Sequence, residues 1–164
     1  MHLIEPIPNL VKLLEKKFSY EIKNNRVVIH NSALGPESRK VSMIFDGQGS
    51  SVSKDGNVTV IQNTFAELKD LIDMDKEIAL VNINCEGCEW NLLEEMIINN
   101  VIPRIQVLQF ATHVDTSNFK IEISDLYKRR YCRIRENIAK THKMSHDSLF
   151  WAWERWIRRD VFLD

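Results

Sequence analysis

The sequence predicts an α/β fold with a mostly parallel sheet and helices on both faces. Residues 78–83 are a short, nearly continuous apolar run, typical of a strand buried on both faces of a parallel sheet. A polar turn at residues 84–89 follows, and apolar residues then recur at helical spacing from Trp90 onward. Strand, helix and strand also alternate in the flanking sequence, and this order is typical of α/β domains.

The other elements are predicted from apolar spacing and local signals. Thr64 and Glu67 form a capping-box pattern that starts a helix. An amphipathic helix is predicted over residues 10–18, after two prolines, and another helix over 123–131. Residues 46–51 are predicted to be a hairpin loop. Predicted strands occupy residues 2–5, 27–30, 41–45, 58–61, 105–110, 132–138 and 148–156.

Length and composition favour one soluble domain covering residues 1–164. The 164 residues are 44% apolar and 27% charged, with a net charge of −1, which predicts no nucleic-acid or membrane partner. No apolar run approaches the length of a membrane span. Three cysteines do not resemble a secreted disulfide framework, so a cytoplasmic setting is expected.

Two carboxylates stand out in the 84–89 turn. Ligands of open α/β sheets bind outside the carboxyl ends of the strands, and Glu86 and Glu89 are predicted to lie there. Acidic residues also favour the first turn of any helix, so a solvated helix start is an equally good interpretation.

Two further residues follow predicted strands. Glu5 ends the first strand, where a carboxylate can accept hydrogen bonds from both hydroxyls of a ribose. Such charge-assisted bonds contribute roughly 1.5–3 kcal/mol each. His113 follows the strand at 105–110 and could act as a general base near neutral pH. A surface carboxylate and a loop histidine are the alternatives.

Cys85 and Cys88 form a C-x-x-C motif at a strand-to-helix turn, where redox pairs occur. The neighbouring carboxylates disfavour a thiolate, whereas the helix N-terminus favours one. A zinc site needs two more ligands, and no second closely spaced pair of cysteine or histidine residues is present. No metal is therefore expected, and a redox or zinc module is the least favoured alternative.

As a set, four segments resemble the FkbM-type methyltransferase family. They are the motifs at residues 4–9, 30–35, 47–51 and 82–89, and the resemblance covers nearly the whole chain. It implies a Rossmann-like fold that uses S-adenosylmethionine (SAM), usually for O-methylation of a small molecule or sugar.

The resemblance also implies roles for individual residues. Glu5 would hold the SAM ribose, and Ser32 and Ala33 would lie beside adenine. The 84–89 turn and His113 would face the methyl group and the acceptor. Asn84 is counted among the cofactor-binding residues, and the candidate bases, in order of preference, are His113, Glu86 and Glu89.

The sequence departs from the family pattern in two ways. Asn84 stands where the family usually has Asp, which removes one charge near the cofactor. The chain also begins at what resembles the second strand, without the preceding strand and its Gly-rich turn. That strand normally lies between those matching residues 2–5 and 78–83, so an open sheet is expected. Buried backbone groups without partners cost about 1–3 kcal/mol each. An alternative function is therefore an inactive, truncated methyltransferase fold that associates with another chain, including a second copy of itself.

Overall fold

The computed structural model describes residues 1–45, 50–111, 125–147 and 153–162. The chain divides into two compact units, Met1–Ile72 and Asp73–Asp164, and each is described by itself. The prediction of one domain over residues 1–164 stays a prediction. Within the described ranges, no helix is long and apolar enough to cross a membrane.

The first unit contains two sheets. In one, β1 and β2 pair in parallel, and in the other the strand order is β3-β6-β4-β5. β3 is parallel to β6, whereas β4 is antiparallel to both β5 and β6. The elements are β1 (His2–Ile4), α1 (Pro8–Lys17), α2 (Ser19–Lys23), β2 (Val28–His30), β3 (Ala33–Leu34), β4 (Arg39–Phe45), β5 (Ser50–Val52), β6 (Val58–Asn63) and α3 (Phe65–Leu71).

Local signals set the helix starts in this unit. Pro8 occupies the first turn of α1, where a missing N–H costs nothing. The predicted capping box is confirmed: the Thr64 backbone N–H donates to Glu67 Oε2 at 2.7 Å, and the Glu67 N–H donates to Thr64 Oγ1 at 3.3 Å. β4 and β5 pair antiparallel, as a hairpin requires, but Ser50 and Ser51 of the predicted loop belong to β5, and residues 46–49 lie outside the described residues. The core of the sheet consists of Ile7, Ala33, Val41, Met43 and Val60.

The second unit is built on one sheet with the order β7-β8-β10-β9. β7 and β8 are parallel, and β10 lies antiparallel to β8 and β9. The elements are β7 (Ile78–Ile83), α4 (Glu89–Ile98), a 3-10 turn (Ile102–Arg104), β8 (Ile105–Ala111), α5 (Asp125–Ala139), β9 (His142–Asp147) and β10 (Trp153–Arg158).

Side chains from helices and sheet fill the core of this unit. Leu93 of α4, Leu108 of β8 and Ile138 of α5 are completely buried. At the surface between the two helices, Arg130 donates to both oxygens of Glu94 at 2.8 Å. That hydrogen-bonded guanidinium lowers the pKa of the Glu94 carboxyl. The pair fixes α5 against α4, and α4 begins at the 84–89 turn.

The sheets are mixed, so the prediction of a mostly parallel sheet was wrong in this respect. In the first unit, β4 lies between β6 and β5 and pairs antiparallel with both, and only a short connection joins β4 to β5, which suits antiparallel pairing. In the second unit, the chain leaves β9 and returns as β10, which lies between β8 and β9.

Three element predictions also need correction. Residues 132–138 were predicted to be a strand but belong to α5, because Ile134 and Ile138 point into the core at helical spacing. β9 was not predicted, and the last strand begins at Trp153, with residues 148–152 outside the described residues. β7 is not buried on both faces: Leu80 is 56% exposed, because β7 is the edge strand of its sheet.

Candidate functional site

The 84–89 turn joins the buried end of β7 to the start of α4. Glu86 and Gly87 both adopt left-handed backbone conformations, with φ of 53° and 110°. A Cβ atom added to Gly87 would meet nothing within 4 Å. The turn therefore requires glycine at residue 87 for its backbone conformation and not for lack of space.

The Glu89 carboxylate lies inside this turn and is fully buried. Its Oε1 accepts the backbone N–H of Cys85 at 2.8 Å, and its Oε2 accepts that of Gly87 at 2.7 Å. Hydrogen bonds to a charged group are stronger than neutral ones, and the start of a helix favours negative charge. Glu89 therefore holds the turn closed. Its predicted role as a catalytic base stays a prediction.

Cys85 and Cys88 are joined by a disulfide across the turn. The third cysteine, Cys132, is free and exposed on α5. Across the described ranges, His, Cys, Asp and Glu residues form no group of three or more that could hold a metal ion. Of the two chemistries considered for the C-x-x-C motif, the arrangement of the sulfur atoms fits a dithiol–disulfide pair.

In the first unit, Glu5 lies at the carboxyl end of β1, as predicted. Its Oε1 accepts the backbone N–H of Ile7 at 2.8 Å. Burial raises the pKa of the Glu5 carboxyl, and the hydrogen bond from Ile7 partly opposes that effect. Asn31 lies beside it and donates from Nδ2 to the carbonyl oxygens of Glu5 and Pro6, both at 3.0 Å.

The parallel pairing of β1 with β2 brings three of the predicted cofactor residues together. Both strands end at the same edge, so Glu5 lies next to the residues that follow β2. Ser32 and Ala33 are buried there, and the Ser32 N–H donates to the His30 carbonyl oxygen at 3.0 Å. We call Glu5 and residues 31–33 the β1–β2 edge.

The remaining predicted residues belong to the second part of the chain. Asn84 and Glu86 belong to the second unit, where both are exposed in the 84–89 turn. His113, the preferred base, lies outside the described residues.

A buried carboxylate in the second unit was not predicted from the sequence. Glu154 of β10 is fully buried, and the Tyr131 hydroxyl and Trp156 Nε1 donate to it, the latter at 2.8 Å. Arg135 Nε lies 3.6 Å from the same carboxylate. The one available signal was a glutamate two residues before a tryptophan, on the same face of a strand.

A shallow cavity of about 530 Å³ lies elsewhere in the second unit, lined partly by Glu77, Thr141 and Arg158. Glu77 immediately precedes β7, so this cavity is at the amino ends of the parallel strands. The Arg158 guanidinium is already paired there with Glu77 at 2.5 Å and Asp160 at 2.6 Å. Because ligands of α/β sheets bind at the carboxyl ends, we do not assign the site to this cavity.

The fold is similar to the crystal structure of the methyltransferase FkbM from Methylobacillus flagellatus KT, with a TM-score of 0.56 and 16% identity. The similarity covers 95% of this chain, which spans 36% of the length of that protein. No protein-family model matches the sequence, and no curated protein matches it. At this identity the likeness concerns the fold.

Proposed function

We propose that this chain is a methyltransferase domain of FkbM type that uses SAM to methylate an oxygen atom of a small molecule or sugar in the cytoplasm. The observation that carries the proposal is the fold similarity to methyltransferase FkbM over 95% of the chain. The sequence resemblance in four segments supports the same function independently of the coordinates.

The β1–β2 edge fits the ribose of SAM in its donor and acceptor chemistry. A carboxylate offers about four acceptor positions, so Glu5 keeps acceptor capacity after accepting the Ile7 N–H. Ribose hydroxyls are donors, and Asn31 keeps the strand ends beside Glu5 in place. Because Ser32 and Ala33 are buried, contact with adenine would involve mainly their backbone atoms.

In this proposal the 84–89 turn serves the acceptor. When bound, SAM supplies an electrophilic methyl group, and the protein must orient the acceptor oxygen and receive its proton. Glu86 is exposed on the turn and can accept a hydroxyl proton directly. Glu89 keeps the turn in shape, Asn84 is proposed to lie near the cofactor, and His113 remains the preferred base.

Calorimetric titration with SAM tests cofactor binding. We expect heat from a single site, and Glu5→Ala should weaken the affinity about tenfold or more, because it removes at least one charge-assisted hydrogen bond. Glu15→Ala is the matched control, since Glu15 is an exposed carboxylate on α1 of the same unit. An absence of heat at millimolar SAM would exclude cofactor binding by this chain alone.

A second candidate function is association through the edge of the second unit, without catalysis. β7 is an edge strand of apolar sequence, and an exposed edge of this kind pairs readily with a strand from another chain. We propose a second copy of this chain as the partner. The expected result is a concentration-dependent dimer in sedimentation experiments.

Two lysine substitutions test this association. Leu80→Lys should abolish the dimer, because it places a charge on the edge strand. Ile61→Lys is the matched control: Ile61 is 54% exposed against 56% for Leu80, but it lies on β6, which is paired on both sides. A monomer at all concentrations, or equal effects of the two substitutions, would contradict association through β7.

A further inference from the structure

We propose that Cys85 and Cys88 form a reversible dithiol–disulfide couple that sets the backbone of the 84–89 turn. Through this turn, the redox state of the couple would regulate the acceptor side of the methyl-transfer site. Only this last step rests on the proposed function. The couple itself is inferred from the disulfide, the turn and the accessibility of both.

The disulfide constrains the two residues of the turn that have positive φ. It closes a loop around Glu86 and Gly87, the two successive residues with positive φ. Gly87 adopts this conformation readily, but a glutamate does so at a cost in free energy. The disulfide and the hydrogen bonds to Glu89 hold Glu86 in place together. Reduction removes one of these two constraints and should let Glu86 move.

The position of the disulfide favours a switch over a structural crosslink. Its cysteines are only three positions apart in the sequence, so it restricts the unfolded chain much less than a disulfide that closes a long loop. Cys85 and Cys88 are partly exposed, and the residues between them are exposed. A thiol reductant can therefore reach the bond.

The exchange balances with an external thiol as the two-electron donor. A reductant thiolate attacks Cys85 Sγ, forms a mixed disulfide and releases Cys88 as the thiolate. Cys88 is the better leaving group because it precedes the first residue of α4, where the helix N-terminus stabilises negative charge. A second reductant thiolate attacks the reductant sulfur of the mixed disulfide and releases Cys85. The two protons lost by the reductant thiols are taken up by the two cysteine thiolates. The reductant is released as its own disulfide.

The first experiment is a titration of the full chain across ratios of reduced to oxidised glutathione, quenched by alkylation and read by intact mass. We expect one alkylated cysteine, Cys132, at the oxidised end and three at the reduced end. The two additional labels should appear together in one transition. Cys132→Ser should remove the constant label and leave the transition unchanged. A disulfide that persists in excess dithiothreitol, or thiols that never pair, would overturn the couple.

The second experiment measures amide hydrogen exchange of the 84–89 turn in both states. Reduction should accelerate exchange in the turn about fivefold or more, whereas peptides from β4 should be unaffected. The double variant Cys85→Ser/Cys88→Ser should exchange like the reduced protein under all conditions. Equal exchange in the oxidised and reduced wild type would show that the couple does not set the turn.

Calorimetric titration with SAM in both redox states separates this inference from the proposed function, because Asn84 of the turn is proposed to lie near the cofactor. A SAM affinity that depends on redox state, with the dependence lost in the double-serine variant, supports regulation, and SAM binding with an affinity independent of redox state overturns it. An absence of SAM binding in both states counts against the proposed function and against regulation of that site. In that case alkylation and exchange still decide whether the couple exists and controls the turn.

Discussion

The β1–β2 edge and the 84–89 turn each contain a glutamate that accepts hydrogen bonds from backbone N–H groups, but the two carboxylates differ. Glu5 is partly buried and accepts one backbone N–H, from Ile7. Glu89 is completely buried and accepts two, from Cys85 and Gly87. The difference leaves the Glu5 carboxylate with more acceptor capacity for a ligand than that of Glu89.

The comparison also separates the two glutamates of the turn. Glu86 and Glu89 have the same sequence context, and both were predicted to be candidate bases. Of the two, Glu86 is exposed to solvent, whereas Glu89 is enclosed by backbone donors. We therefore expect Glu89 substitutions to act on stability first, and Glu5 substitutions to act on binding first.

The largest expected effect is that of Glu89→Ala. It leaves the N–H groups of Cys85 and Gly87 without their charged acceptor, at a cost of about 3 kcal/mol in free energy of unfolding. All four tryptophans lie in the second unit, so urea unfolding followed by their fluorescence reports on it. Glu95→Ala, an exposed position on the same helix, should change stability by less than about 0.5 kcal/mol. A decrease of less than about 1 kcal/mol in the free energy of unfolding for Glu89→Ala would contradict the stabilising role of Glu89.

A smaller loss is expected for Gly87→Ala, because alanine resists a φ of 110°. A Cβ atom at residue 87 would meet no neighbour, so the cost should come from the backbone conformation alone. We expect the free energy of unfolding to fall by about 1–2 kcal/mol. Glu86→Gly is the matched change at the neighbouring residue, where glycine adopts the φ of 53° more easily, and it should cost less than about 0.5 kcal/mol. The same fluorescence measurement applies, and equal losses for the two variants would contradict a conformational cause.

Local patterns predicted the elements around the site well. The apolar run at residues 78–83 became β7, and the capping box at Thr64 starts α3. These elements depend on neighbouring residues in the chain. The spacing of Ile134 and Ile138 is helical and would have placed both residues in a helix. Their β-branched side chains favour a strand, and of the two signals the spacing agrees with α5.

Features that depend on distant pairing could not be predicted. β9 is a polar segment, and it is a strand because it pairs along its length with β10. Likewise, nothing in the sequence distinguishes Glu86 from Glu89, since their difference arises from backbone donors in the folded turn. The roles of His113 and Asn84 in the site remain predictions from resemblance.

Stability of the second unit should fall as the solution becomes acidic, because of His142. This residue is fully buried, and burial lowers its pKa from the ordinary 6.5. Below pH 6.5 the unfolded chain binds a proton that the folded unit binds only at lower pH, so unfolding is favoured as pH falls. The slope should approach at most about 1.4 kcal/mol per pH unit, the value for one proton. His142→Gln should flatten this part of the curve measured by tryptophan fluorescence, and an unchanged slope would assign the pH dependence to other groups.

The first unit should respond to pH in the opposite sense through Glu5, with the smallest effect of the four. Burial raises the pKa of Glu5 above the ordinary 4.5, so the folded unit binds this proton more tightly than the unfolded chain does. The resulting stability is present below pH 4.5 and is lost as pH rises through the folded pKa.

Glu5→Gln should remove that component, and the difference between wild type and variant isolates it from His2, whose pKa is lowered by burial in the same sheet. Because the first unit contains no tryptophan, the measurement is amide exchange in β1 and β2, normalised to intrinsic rates. A wild-type unit that gains protection relative to the variant as pH rises would mean that Glu5 is stabilised as a carboxylate. That result would contradict the raised pKa of the Glu5 carboxyl.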